Sequence, residues 1–368
     1  MTAGRAGARR TVACVLPWGV ALGCGIVTPL TGIDPAESAN TSDVGHSSTT
    51  IAGMTESTTT TASSAVDSTS EADGSSGSTG STGSTGGESP MVPTCPIDRS
   101  EDDRPDDDDA PQVRVMYVLP SDGDDEALDT NDRICDSVRS WTTWLHGQTD
   151  GRQLRLDTAG GALDIGFVRL SRTDAQMHGT AAIADVETGF AYVRDRIEQE
   201  LLLAGQLAPN KIYAVYYGGS SEYACGGGAY PPLIVDQVAA MYLGGQIPGF
   251  PACTSVPWGE PDAAPAYVDY AMLHELMHTL GAVDLLAPHE HASGHAYDDG
   301  AEMPWTDLMY SPREGQRDPA WGVYEPGGLQ LDLGRDDYFD HDDPELVDLA
   351  DSIFVAPMPA GASLPPGW

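Results

Sequence analysis

Lysine is almost missing from this chain. Lys211 stands alone among 368 residues, and Lys and Arg together number 18 against 56 Asp and Glu, a formal charge of −38. A surface so short of cations repels phosphate, which argues against nucleic acid and anionic lipid as partners and fits a solvated exterior or sites for hard cations. Long hydrophobic runs are missing too: no stretch supplies the roughly 20 consecutive apolar residues that a membrane-spanning helix needs. There is no G-x-S-x-G nucleophile turn, no phosphate-binding loop and no dinucleotide fingerprint, so serine-hydrolase and nucleotide chemistry have no support. No C-x-x-C pair occurs, which leaves cysteine-ligated zinc without its usual spacing.

What is present begins with an export pattern. Arg5, Arg9 and Arg10 precede a short apolar stretch and small residues, as in a signal peptide. Ala21-Leu22-Gly23-Cys24 resembles a bacterial lipobox, in which Cys24 would carry lipid after cleavage. Residues 1–24 are therefore read as the signal, and 25–110 as a linker. That linker holds a Ser/Thr/Gly tract too poor in apolar surface to offset its ordering entropy. It ends in the acidic run Glu101 to Asp109, read as a solvated boundary with weak Ca²⁺ binding as the alternative. Four cysteines remain after the signal: Cys95, Cys135, Cys225 and Cys253. An even number in an exported chain suggests disulfides. Proximity favours Cys95 with Cys135 and Cys225 with Cys253, among three possible pairings. Cys95 could alternatively cap a metal as a thiolate.

From about Pro111 to Trp368 the pattern is that of one α/β (α+β) domain. Val113–Leu119, Ala162–Leu170 and Ile212–Tyr217 read as strands, the last buried, and Gln237–Leu243 as an edge strand. Asn131–Leu145 and Ile183–Leu203 have helical periodicity, with Ile134, Val138, Trp141 and Leu145 on one face and Val186, Phe190, Val193 and Ile197 on another. Gly226-Gly227-Gly228 reads as a loop. A further helix spans Pro265–Leu280, with Asp262 as a possible N-cap.

That last helix carries His274-Glu275-x-x-His278. Residues four apart share a helix face, so both imidazoles can address one Zn²⁺, and Glu275 is placed to take a proton from water activated there. Gly281 then allows a sharp break, and Asp284 follows three residues later. The extended pattern H-E-x-x-H-x-x-G-x-x-D resembles the metzincin metallopeptidases, in the minority form with Asp at the last position found in snapalysin-like peptidases. Asp307-Leu308-Met309-Tyr310 resembles their Met-turn. The resemblance covers about Ala264 to Pro312. It implies a mixed twisted sheet with an active-site helix, an irregular C-terminal subdomain and a cleft between the two halves. It also implies His274, His278 and Asp284 as Zn²⁺ ligands, with Met309 as an apolar floor. Tyr310 directly follows the Met, one position short of where an assisting tyrosine falls, and is given no catalytic role.

The third ligand has a competitor. The segment from Ala287 to Asp299 offers His289, His291, His295, Asp298 and Asp299, and a longer loop could bring His295 to the metal instead. Leu331 to Asp343 is dense in carboxylates and reads either as a Ca²⁺ loop or as a surface segment anchored by Tyr338 and Phe339. The expected activity is that of an exported, lipid-anchored, monomeric zinc endopeptidase acting on proteins or peptides. Two readings compete with it: a non-catalytic zinc-containing binding lipoprotein, and a zinc amidase acting on cell-wall peptides.

Overall fold

The computed structural model describes residues 90–96, 98–178, 186–222, 224–245, 253, 258–259, 264–291, 294–297, 303–311 and 328–368, with backbone alone for 186–191. The chain divides into two units, Met1–Thr79 and Gly80–Trp368, and every described residue belongs to the second. Cys24, the Ser/Thr/Gly tract, Asp262, Asp298 and Asp299 lie outside the described residues, as do the side chains of Val186 and Phe190.

Five strands form one sheet. β1 (Gln112–Leu119), β2 (Ile165–Arg169), β3 (Lys211–Tyr217), β4 (Gly226–Gly227) and β5 (Val238–Tyr242) lie in the order β2-β1-β3-β5-β4. All neighbours are parallel except β4, which runs antiparallel to β5 along the edge. The fold is therefore α/β with a mixed sheet. β1, β3 and β5 are buried at every position, which is why they read as near-continuous apolar runs rather than alternating ones. Val113, Val115, Tyr117 and Leu119 face a core built with α1 (Arg133–Gln148) and α4 (Tyr267–Leu280). Met116 and Val118 face the opposite core, where Val193, Ile197 and Leu201 of α3 (Val186–Leu203) pack. The helical faces expected from Ile134, Val138, Trp141 and Leu145, and from Val193 and Ile197, are the buried ones. A five-residue helix, α2 (Asp174–His178), precedes α3.

Two strand readings are corrected. Val238–Tyr242 is an interior strand, flanked by β3 and β4, and the edge belongs to the glycines read as a loop. Glycine carries no apolar signal, so periodicity could not find that edge. After α4 the described elements are short: β6 (Glu290–His291) pairs with β7 (His295–Ala296), and Val355–Ala356 returns to pair with Gln153–Leu154.

Both cysteine pairs close as disulfides, Cys95–Cys135 and Cys225–Cys253. On chain-entropy grounds, loops of 40 and 28 residues are each worth about 3–4 kcal/mol. Cys95 is thus a disulfide partner of α1 and offers no thiolate to a metal. The domain boundary at Pro111 moves as well, because the chain is fastened to the domain well before it. Thr94 and Ser100 bridge to Ala162 and Gly166. Asp107 accepts the N–H groups of Gly160 and Gly161 at 2.8 and 2.7 Å. Arg104 pairs with the fully buried Asp164 at 2.8 Å.

The centre of this attachment is the single lysine. Lys211 is 2% exposed at the start of β3, and its Nζ donates to Asp106 and Asp157 at 2.7 Å and to Asp103 at 3.0 Å. Burial alone would lower the ammonium, but hydrogen bonds to Asp106, Asp157 and Asp103 outweigh it and raise its pKa. Within the acidic run Asp103 and Asp106 are held by a buried cation, while Glu101, Asp102, Asp108 and Asp109 are exposed, as expected of a solvated boundary. Replacing Lys211 with Met leaves Asp157, fully buried, with only the Arg114 guanidinium at 3.9 Å in place of a 2.7 Å charged hydrogen bond. Lys211→Met is therefore expected to destabilise the fold by about 3–5 kcal/mol, read from denaturant unfolding; a loss under 1 kcal/mol would show the cluster to be solvated.

Candidate metal centre

α4 sets the geometry. Its first turn is fixed by Asp269, whose carboxylate accepts the Ala266 N–H at 2.8 Å and the Ser137 hydroxyl at 2.5 Å. The N-cap position is thus Ala266. Gly281 closes the other end in the left-handed region, at φ 96°, donating to His278 and Met277 carbonyls, so the break expected from glycine is present.

His274 and His278 are each 5% exposed and lie on one face of α4. Their Nε2 atoms are 3.1 Å apart, and the Nε2 of His295, from β7, is 3.3 Å from that of His278. Two nitrogens bound to one tetrahedral Zn²⁺ at 2.0–2.1 Å would be about 3.3 Å apart. The three ring nitrogens therefore fit a single ion of that size. They form one of three such groups among the described residues.

The carbonyl of Leu308 lies 2.8 Å from His274 Nδ1. A carbonyl can only accept, so Nδ1 carries the proton and Nε2 keeps its lone pair for a cation. Burial, and then the neighbouring His295, lower His274 to about 3 and His278 well below its ordinary value. Both rings are neutral at physiological pH, the form that binds metals. Among the described residues His278 has no hydrogen-bond partner at Nδ1; its ring packs edge-to-face with Tyr230, with centroids 6.4 Å apart.

His295 arrives through the turn that carries Met309. The Ala296 N–H donates to the Met309 carbonyl at 2.9 Å, and Ser311 donates back to Ala296 at 2.9 Å. One four-residue stretch, Asp307 to Tyr310, thus orients His274 by a side-chain bond and His295 by backbone pairing. Met309 is fully buried in the core that holds Leu273, Leu276 and Met277 of α4. Tyr310 is 2% exposed. Asp307 is buried beneath the turn and accepts from Met309 and Leu333 N–H groups at 2.6 Å and from Tyr338 Oη at 3.1 Å. Burial raises it to about 7.

Asp284 is not brought to the histidines. The chain turns twice after the helix, at Gly281 and again at Val283, which has φ 53°. Asp284 then starts a turn of its own, its carboxylate accepting the Leu286 N–H at 3.0 Å and its carbonyl that of Ala287 at 2.9 Å. Spacing alone could not anticipate a left-handed β-branched residue, which is rare.

Glu275 lies against the edge strand. The Gly228 N–H hydrogen-bonds its carboxylate, and burial pushes it up to about 8. A cation at the three nitrogens would lower it again. A Cβ on Gly226 would collide with the Glu275 carboxylate, and one on Gly228 with the Glu275 carbonyl and His278 Cβ. The glycine run is therefore the wall of the site, a role its composition signalled only as a break.

No family model matches this sequence, and no curated protein matches it. Among solved structures it is similar to OgpA from Akkermansia muciniphila in two crystal forms. One is 14% identical, with 66% of this chain and 62% of that chain covered and a TM-score of 0.34. The other is 12% identical, with 67% and 62% covered at the same TM-score of 0.34. A catalytically inactive OgpA in complex with an O-glycopeptide substrate is 14% identical, with 65% and 61% covered and a TM-score of 0.29. The chain spans less than two thirds of the length of those proteins. At these scores the likeness carries no argument, and the functional reading rests on the geometry above.

The remaining carboxylate-rich candidates have internal partners. Asp332 accepts N–H groups from Tyr338 at 2.7 Å and Phe339 at 2.5 Å. Asp337 accepts from His289. The segment Leu331 to Asp343 is thus a self-bonded loop anchored by Tyr338 and Phe339, both buried.

Two expectations follow. His295→Ala should weaken Zn²⁺ binding by 10²-fold or more while Asp284→Ala leaves it within about threefold, measured by chelator competition; the reverse order would restore Asp284 as the ligand. Gly226→Ala should retain the ion but lower turnover by about 10²-fold, because it displaces Glu275 by roughly an ångström; full turnover would show that Glu275 is not where the chemistry occurs.

Proposed function

We propose that this protein is an exported zinc-dependent peptidase in which His274, His278 and His295 hold the ion and Glu275 is the general base. The observation that carries this reading is the convergence of three imidazole nitrogens at 3.1 and 3.3 Å, two of them from the H-E-x-x-H helix. Three imidazole nitrogen ligands, with a fourth position for water, would be the donor set of catalytic rather than structural zinc. A bound Zn²⁺ supplies Lewis acidity, polarising a carbonyl and lowering the pKa of water towards about 7.

The residues do the rest. His274 is locked in the tautomer that presents Nε2 by the Leu308 carbonyl. Glu275, adjacent to His274 on the helix, accepts the proton of the attacking water and returns it to the leaving amine. Gly226 leaves room for its carboxylate, and the Gly228 N–H hydrogen-bonds that carboxylate. The walls of the site are largely buried backbone, which strengthens every electrostatic interaction inside it.

Export and a lipid anchor at Cys24 are part of the same proposal. Their support is the N-terminal pattern and the two disulfides, which persist in oxidising compartments. No helix among the described residues is long and apolar enough to cross a membrane. A peptide or protein is the substrate class proposed.

Glu275→Gln should keep one Zn²⁺ per chain and lose peptide-library cleavage by 10²–10⁴-fold, and a chelator should abolish wild-type cleavage. A Glu275→Gln protein that cleaves normally sinks the mechanism. A folded, zinc-loaded wild type that cleaves no peptide favours the binding-lipoprotein reading.

A further inference from the structure

The carboxylate-rich loop near the C-terminus touches the root of the hairpin that delivers His295, and this contact has a use. β6 and β7 pair antiparallel with His291 opposite His295 and Glu290 opposite Ala296. The next rung is the Tyr297 N–H donating to the His289 carbonyl at 2.9 Å. His289 is therefore the residue at which the hairpin leaves the body of the domain. Asp337 grips it twice: one carboxylate oxygen accepts the His289 N–H at 2.8 Å and the other lies 2.7 Å from its Nδ1. Asp337 is 2% exposed, so water competes little for those bonds.

The same loop also reaches the other side of the hairpin. Tyr338, next to Asp337, donates to Asp307 at 3.1 Å, and Asp307 accepts the Met309 N–H at 2.6 Å. The Met309 carbonyl in turn receives the Ala296 N–H at 2.9 Å. Consecutive residues, Asp337 and Tyr338, thus bear on the two segments that flank His295, one at the root of β6 and one through the Met309 turn that bridges to Ala296.

We infer that Asp337 and His289 are a positioning pair for the third metal ligand: Asp337 fixes the root of the hairpin and so sets where His295 presents Nε2 to the ion. The inference rests on the three-histidine reading of the site. It gives the acidic loop a task other than cation binding. Its carboxylates orient backbone that orients a ligand, and partners of this kind commonly carry 10–100-fold in metal affinity.

The test measures Co²⁺ affinity and stoichiometry, with the visible d–d bands of the bound ion, on the full chain as wild type, Asp337→Ala and the volume-conserving Asp337→Asn. Asp164→Asn, which breaks a buried ion pair outside the site, serves as a control for general destabilisation. The expected result is one Co²⁺ per chain throughout, bound 10–100-fold more weakly in at least one Asp337 variant with altered d–d intensity, while Asp164→Asn binds as wild type does. Wild-type affinity and spectra in both Asp337 variants overturn the inference and leave the metal site standing. A second ion in the wild type that disappears on Asp337 substitution overturns it too, because His289 and Asp337 would then be ligands themselves. A wild type that binds no Co²⁺ overturns the metal-site reading, and the inference with it.

Discussion

The bond from His274 Nδ1 to the Leu308 carbonyl is the hinge of this structure. It joins the helix that carries two histidines to the turn that positions the third. A ring free to choose its tautomer could place the proton on Nε2 and close it to a cation. A carbonyl removes the choice, and it does so from the residue next to Met309, whose own carbonyl receives the neighbour of His295. Helix, turn and hairpin are thereby a single mechanical unit. The burial of Met309, Leu308 and the apolar face of α4 in one core keeps that unit from shearing.

The sheet explains why such a unit can sit at an edge. β1, β3 and β5 are buried at every position. Only at β4 does the sheet thin to backbone, because two glycines occupy the strand. Glu275 and His278 use the space that any side chain there would fill. The antiparallel edge and the active helix are therefore one packing solution, and the disulfide at Cys225, directly before the glycines, holds the strand that has least side-chain packing of its own.

How much of this was legible in the sequence follows from the range of each interaction. His274, Glu275 and His278 share one helix, and a four-residue spacing is local enough for the pattern to place them there. The buried strands showed as β-rich apolar runs for the same local reason. Proximity favours the Cys95–Cys135 and Cys225–Cys253 pairing among three, and the fold decides it. His295 was visible only as a competitor, because its approach depends on the Leu308–Met309 turn, on a hairpin and on a loop more than 40 residues away in sequence at Asp337. Asp284 had the right spacing and lost to a left-handed Val283, a conformation no composition rule offers. The glycine edge reads as a loop in the sequence because glycine signals flexibility and close approach with the same letter.

The charge balance shows the same dependence on long-range contacts. Counted along the chain, 56 acids against 18 bases suggest a surface that holds cations in plenty. In the fold, several of those bases are spent inside. Lys211, Arg114 and Arg194 are each 2% exposed or less and lie among carboxylates: Asp103, Asp106 and Asp157 for the lysine, Asp103 and Asp157 for Arg114, Glu198 and Asp236 for Arg194. Their burial is matched by buried carboxylates, Asp157 among them at 0% exposed. It also makes the acidic segment before β1 an integral part of the domain, since it supplies the counter-charges that let a lone lysine be buried. A chain truncated at Pro111, where composition alone places the start of the domain, would leave that ammonium and Arg114 with Asp157 as their shared anion, deep in the sheet that supports the metal helix. The stability of the site and the apparent linker are in this way coupled, through one cation and three carboxylates.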